Sequence, residues 1–493
     1  MQRAIHWYDH ITINIYWLGL NVATATITPV LLPYLVALFA PAEYKNTYLA
    51  TVRVIGLAVA MLVQPLAGML SDRSTSRWGR RRPYILGGTA FDLLFLLVVG
   101  ASPLFLGSAL DGFFQSTFGV TTAYAVLLAG IVLLQLSSNV AHGALQGLIP
   151  DLVPQQQRGR ASGVKAVMEL LPSFLVIGLG PLLDRGLTWL VVGVVMAALL
   201  ITMLITLFTV HEEPLRERPA GSIAGPILRL VALTAIFVGV TRGAVWLVGS
   251  AGTLLAGWGA TVTQQVLVVG LAGLVGMAGS IFLGVYFGAW VGIGREAPRQ
   301  TSFIWWVVNR LLFLAAVGSI QGFAQYYLGD VIRMENPATA TTLLMASVAG
   351  FLVLSALGGG YLADRMGRKR LVVLSGLIAA AGTVVLLFSF NLPLVIVSGC
   401  IIGVGAGLFM ATNWALGTDL VPPEEAGRYL GISNLAGAGA GIVGAGIGGP
   451  MADFFNGLQP GLGYLVVFAI YGALFLLSVL ALLGVRRERQ AGA

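Results

Sequence analysis

The chain has 493 residues, of which 57% are hydrophobic and only 10% charged, whereas ordinary soluble domains carry about 25% charged residues. That balance excludes a large soluble core wrapped in a polar surface. The formal net charge of +8 raises nucleic acid as a partner, and the single cysteine, Cys400, excludes internal disulfides and paired-cysteine metal or redox motifs.

In chain order, apolar runs fall at 11–38, 48–70, 84–102, 123–147, 162–182, 187–210, 226–249, 265–292, 303–327, 339–362, 371–390, 393–418, 429–451 and 462–485. Each is long enough to cross about 30 Å of hydrocarbon at 1.5 Å per residue. Continuous runs predict helices, since a β-barrel needs short alternating segments. The expectation is an all-α polytopic membrane protein with fourteen spans. The first run is too long for a signal-peptide core. The four histidines, His6, His10, His142 and His211, are scattered and offer no metal site.

With the N-terminus inside and the spans alternating, twenty-two of the 28 Lys and Arg residues fall on inner segments. The densest groups are Arg73, Arg77, Arg80, Arg81 and Arg82, and then Arg365, Arg368, Lys369 and Arg370. Lys45, Arg53, Arg185 and Arg333 fall outside or near it, and Arg242 and Arg310 lie within spans. The positive-inside rule accounts for the basic excess, so no nucleic-acid partner is needed. A multi-pass protein of the cytoplasmic membrane with both termini cytoplasmic is expected.

Residues 68–82 read GMLSDRSTSRWGRRR and residues 360–370 read GYLADRMGRKR. The shared frame is Gly, three residues, Asp-Arg, then Gly-Arg-basic-Arg. A second pair follows: DLVPQQQRGRASG at 151–163 and DLVPPEEAGRYLG at 419–431. Two motifs recurring in the same order at the same span ends indicate a duplication. The first half is longer by its basic loop and by an outer loop, SPLFLGSALDGFFQSTFGVTTAY.

These motifs resemble those of the major facilitator superfamily. The resemblance implies two six-helix halves related by a pseudo-two-fold axis along the membrane normal, residues 1–210 and 302–493. Residues 211–301 form a linker with two added spans in 224–293, for which a re-entrant hairpin is the alternative. DRSTSRWGRRRP and ALQGLIPDLVPQQQRGRASG are similar to the glycoside–cation symporter and sucrose-transporter branch. Gln146 stands where sucrose transporters carry a basic residue. The resemblance implies that Asp72, Arg73, Asp364 and Arg365, with Gly68 and Gly360, form the core of a latch on the cytoplasmic gate. Arg80, Arg368, Asp151, Arg160, Asp419 and Arg428 complete its networks. The simpler reading is that the arginines only set orientation.

Asn14, Trp17, Asn21, Thr24 and Thr28 form one stripe on the first span at spacings of three and four. The stripe faces a central substrate cavity or forms a helix seam. Asn139, Gln146, Gln321, Gln325, Asn413 and Trp414 are further cavity candidates, suited to a polar solute with a sugar face for Trp to stack on. Coupling needs a group that titrates or holds a cation. Asp92, mid-span, is the first candidate; Glu169 is the second, with Lys165 one turn before it as its alternative partner. No GxSxG, HExxH or phosphate-loop motif is present, which argues against an enzyme. The function expected is secondary active transport of a small polar solute, a glycoside or sugar, by alternating access. H+ or Na+ is the coupling ion, and no cofactor is expected. Drug or metabolite efflux, and a non-transporting relative serving pigment assembly or sensing, are the alternatives.

Overall fold

The computed structural model describes residues 6–215, 222–421 and 426–486, and within helices leaves aside the side chains of 295, 296, 298, 426–428, 430–432 and 434–436. Every regular element among the described residues is helical. Thirteen helical segments among them are long and apolar enough to cross a membrane. A further helix, Ala426–Leu458, occupies the place of the remaining expected run.

Helix α1 (Trp7–Thr26) passes through a π turn at Ile27–Leu31 into α2 (Leu32–Phe39). Pro29 and Pro33 supply no N–H, and the Leu32 N–H reaches back to Ile27 O, so the ladder widens there. Next come α3 (Lys45–Asp72) and α4 (Arg82–Ala101), then α5 (Asp111–Phe118), α6 (Thr122–Leu145) and α7 (Leu148–Leu152). The short α5 lies within the long outer loop between α4 and α6. The Asp111 carboxylate accepts the Thr122 N–H at 2.8 Å, and its bonds to Thr122 hold it below the usual carboxylate range. Phe113 and Phe118 of α5 are exposed, as suits a helix resting at an interface.

The expected span at 162–182 is broken into α8 (Arg158–Leu170), α9 (Pro172–Leu175) and α10 (Leu179–Asp184). Pro172 and Pro181 remove backbone donors inside it, which interrupts the ladder. Helix α11 (Thr188–Thr209) follows. The two added spans are α12 (Ala224–Gly257) and α13 (Val262–Ile293). At 34 and 32 residues each is one unbroken helix, long and apolar enough to cross a membrane. Gly259, at φ +68°, makes the turn between them, and Thr261 with Gln264 caps α13 reciprocally. The chain continues through α14 (Thr301–Asp330), α15 (Pro337–Met366), α16 (Arg368–Leu387), α17 (Leu392–Thr418), α18 (Ala426–Leu458) and α19 (Leu462–Ala481).

Two compact units result. The first comprises residues up to Ala42, Val59–Leu228 and Asn336–Leu343. The second comprises Glu43–Ala58, Arg229–Glu335 and Leu344 onward. The first unit therefore holds the starts of α12 and α15, and the second the start of α3, while the remainder of each belongs to the other unit. In the second unit the Phe313 ring stacks on Phe409 with centroids 3.8 Å apart, and Phe475 meets it edge-on. The α12 side chain of Phe237 fills the space left by Gly284 and Gly439. These contacts fix the added hairpin to the second unit.

Candidate functional site

The first unit concentrates its charged network at the end of α3 and the start of α4. Gly79, at φ +101°, turns the chain so that Arg81 points inward. Arg81 is only 4% exposed. Its Nε donates to Asp151 Oδ2 at 2.9 Å, its Nη1 to Ser71 Oγ at 2.6 Å, and its Nη2 pairs with Asp72. Gly147 makes the room: a Cβ there would fall 2.3 Å from the guanidinium carbon. Burial alone would lower the Arg81 pKa, but Asp151 and then Asp72 outweigh it and raise it. Arg80 adds a pair to the other Asp151 oxygen at 3.0 Å. Glu212, just past α11, accepts the Arg81 and Arg82 N–H groups at 3.0 Å, and burial pushes its carboxyl pKa up.

In the second unit the equivalent of Arg80 is Arg368, which pairs with Asp419 at 2.6 Å and donates to Ala415 O at 3.1 Å. Gly367, at φ +86°, precedes it as Gly79 precedes Arg80. Arg365 lies over the Tyr361 ring at 4.4 Å. Asp364 forms no ion pair among the described residues, and neither does Arg160. The side chain of Arg428 lies outside the described residues. Gly68 and Gly360 have no close neighbour that forbids a side chain; the close approach of α6 to α3 depends on Gly143, whose Cβ would meet Gln64 O at 2.3 Å. The first network is thus centred on Arg81, which occupies only a generic basic position in the repeated motif.

The stripe on α1 divides. Asn14 is fully buried and donates to His10 O and to Ala161 O on α8, which is the behaviour of a seam. Trp17 is 4% exposed; Lys165 lies over its ring at 4.1 Å and His142 meets its edge at 5.0 Å. Lys165 also pairs with Glu169 at 3.3 Å, so the coupling candidate Glu169 has the local partner foreseen for it. Asn21 and Thr28 are half-buried and Thr24 is exposed. The Asn21 amide donates to Trp17 O at 2.8 Å, leaving its oxygen available. On α6, Gln146 is exposed and meets His142 at 3.4 Å, while Asn139 is buried and turned back to Gln135 O.

Asp92 on α4 is 1% exposed, takes a bond from Ser137 Oγ on α6, and keeps Oδ2 without a partner. Tyr16 and Thr89 share a hydrogen bond in the same unit. In the second unit the buried Asn413 accepts from Arg310 at 3.4 Å and donates to Asn309 at 2.8 Å, so it positions Arg310 instead of lining open space. The Arg310 guanidinium lies 5.0 Å from the Trp414 ring centroid. Gln321 is exposed and Gln325 is buried. Arg53, expected near the outer surface, lies eight residues inside α3 and donates to Gly318 O at 3.0 Å. It fits against α14 because Gly322 has no side chain there.

Two family profiles match the chain: "MFS/sugar transport protein" over residues 16–232 and "Major Facilitator Superfamily" over 307–493. Among curated proteins it is similar to a sucrose transport protein of Oryza sativa subsp. japonica, 36% identical over 113 residues. That match covers 22% of this chain and 21% of the relative. It is also similar to a general alpha-glucoside permease of Schizosaccharomyces pombe, 28% identical over 212 residues, covering 40% of this chain and 36% of the relative. The matched stretches thus span well under half of either relative. Among solved structures the fold is like that of a D-xylose-proton symporter, with TM-score 0.62, 15% identity and 96% and 97% of the two chains covered. A POT family transporter in complex with 5-aminolevulinic acid has TM-score 0.66 at 13% identity, covering 98% and 97%.

Proposed function

We propose that this chain, which matches major facilitator profiles over residues 16–232 and 307–493, works as a secondary active transporter moving a small polar solute by alternating access. Residues 1–210 and 302–493 act as the two moving halves, and 211–301 adds the α12–α13 hairpin. The observation that carries the reading is the duplicated ion pair, Arg80 with Asp151 and Arg368 with Asp419. Equivalent charged pairs at equivalent places suit two equivalent moving bodies and favour movement over a rigid scaffold. Several exposed pairs, each worth about 0–1 kcal/mol, bias a two-state protein when they form and break together.

Glycosides and sugars are the solute class, in keeping with the names of the similar sucrose transport protein and alpha-glucoside permease. On the chain itself, Asn21, Gln146 and Gln321 offer amides, and Trp414 beside Arg310 offers an aromatic face with donors. Asp92, with a free carboxylate oxygen in an apolar setting, is the group that takes up the coupling proton. The protein sits in the cytoplasmic membrane with both termini and the arginine-rich loops inside. A thermal-stability screen of purified protein against sugars, glycosides, nucleosides and cationic drugs tests the solute class: glycosides should raise the melting temperature. Stabilisation by cationic drugs alone would move the reading to efflux.

A further inference from the structure

At the end of the helices opposite the arginine-rich loops, a three-residue pattern occurs twice. Gly180-Pro181-x-x-Asp184 ends α10, and Gly449-Pro450-x-x-Asp453 lies near the end of α18. Each aspartate reaches the first turn of a helix that comes from the other half of the sequence. Asp184 Oδ1 accepts the Ala338 N–H at 3.1 Å, and its Oδ2 accepts the Thr339 N–H at 2.8 Å and the Thr339 hydroxyl at 2.6 Å. Asp453 Oδ1 accepts the Asn46 N–H at 3.2 Å, and its Oδ2 accepts the Thr47 N–H at 2.6 Å. Asn46 Nδ2 adds a bond to Asp453 Oδ1 at 2.8 Å.

The glycines match as well. A Cβ on Gly180 would fall 2.7 Å from Ala338 O, and one on Gly449 would fall 2.6 Å from Asn46 O. Ala338 and Asn46 are the same residues whose N–H groups the two aspartates hold. They are separated in sequence by the same interval as Asp72 and Asp364, so the two arrangements are copies of one device. A carboxylate on the free N–H groups of a helix start satisfies orphan donors and complements the helix dipole. Here it does so between elements that are distant in the chain, with the glycine bringing the backbones into contact.

We propose that Asp184 and Asp453 are positioning residues of the transport cycle, a duplicated clasp that holds this end shut and must release for the solute path to open there. The two copies are not equally braced. The Asp453 clasp is flanked by the Lys45–Asp330 pair at 2.6 Å and by a bond from Tyr464 to Asp330. The added hairpin also covers it: Thr241 packs into the space at Gly446, and Gly252 receives the Phe454 ring. Asp184 has no such neighbours among the described residues. Its loss therefore leaves the less supported side of the device open.

The inference rests on the alternating-access reading, but its test needs no substrate. In a Cys400→Ala full-length background, spin labels at Leu187→Cys with Glu335→Cys, and at Tyr44→Cys with Gln459→Cys, report one clasp each in lipid nanodiscs. Asp184→Asn removes one acceptor oxygen and sets an NH2 against an N–H. It should shift both distance distributions to longer values, and Asp453→Asn should do the same to a smaller extent. Gly180→Ala and Gly449→Ala keep the carboxylates but push the backbones apart, and should shift the distributions in the same direction. Unshifted distributions in all folded, monodisperse variants would overturn the clasp and leave two helix caps. Once a transported solute is in hand, Asp184→Asn should lower KM for solute on that side several-fold, because the competent state is populated more often. An unchanged KM with a reduced maximal rate would also contradict it. A failure of every solute to bind, with the distances still shifted, would count against the transport reading alone.

Discussion

Arg81 and Asp151 meet at 2.9 Å, Nε to Oδ2, over a glycine that leaves no other use for the space. The same guanidinium takes Asp72 and Ser71, so one buried cation joins the ends of α3, α4 and α7. In the second copy of the motif the equivalent position is Lys369, which donates to Val485 O at 2.7 Å. A lysine cannot hold three acceptors in fixed directions as a guanidinium does. The two halves therefore share the Arg80-type pair and differ in what anchors it.

Truncating Arg81 removes the buried cation common to Asp72, Asp151 and Ser71, while Asp151 keeps its Arg80 pair and Asp72 is open to solvent. Arg81→Ala should cost about 1.5–3 kcal/mol, the range for hydrogen bonds to charged groups, and appear as a fall in melting temperature in detergent. Arg80→Ala removes a more exposed pair and should cost about 0–1 kcal/mol. Equal effects of the two changes would contradict an Arg81-centred network.

Glu212 is half-enclosed by the loop it caps, and burial raises its carboxyl pKa. A raised folded-state value favours the protonated form, so the stability it contributes is fully present below the usual carboxylate range and is lost as pH rises through the raised value. The difference in melting temperature between the native protein and Glu212→Gln should shrink as pH is raised from 4. A difference that grows with pH would reverse the sign.

The divided stripe on α1 makes opposite predictions for two asparagines. Asn21→Ala should weaken solute binding about tenfold, for one lost hydrogen bond of about 1–1.5 kcal/mol, with little effect on stability. Asn14→Ala removes a fully buried amide bonded to Ala161 O and should lower stability instead. Cysteines at Asn21 and Thr24 should react with hydrophilic thiol reagents, and a cysteine at Asn14 should not.

Asp92→Asn keeps the size of the side chain and the Ser137 contact but cannot exchange a proton. It should abolish gradient-driven accumulation while leaving solute exchange intact. Loss of both activities, or of neither, would assign Asp92 to helix packing.

The helices were legible because every span is a continuous apolar run, and the duplicated Asp-Arg loops marked the two halves. The break at Pro172 was readable from the proline itself but is masked by the unbroken hydropathy around it. Arg81 was missed because it is one of three consecutive arginines, and sequence does not say which of them turns inward. Its signal is Gly147, distant in the chain. Asn413 reads as a cavity amide in the sequence because polarity in a span looks the same whether it faces water or another side chain. The Gly-Pro-x-x-Asp repeat is short and sits in apolar runs, so only the shared geometry at Asn46 and Ala338 brings it out.

Uptake by purified protein in sealed proteoliposomes is the most direct test of transport. With an imposed proton or sodium gradient, a radiolabelled glycoside should accumulate inside above its external concentration, and the accumulation should collapse when the gradient is dissipated. A protein that binds glycosides but neither accumulates nor exchanges them in either direction would contradict a transporter working by alternating access.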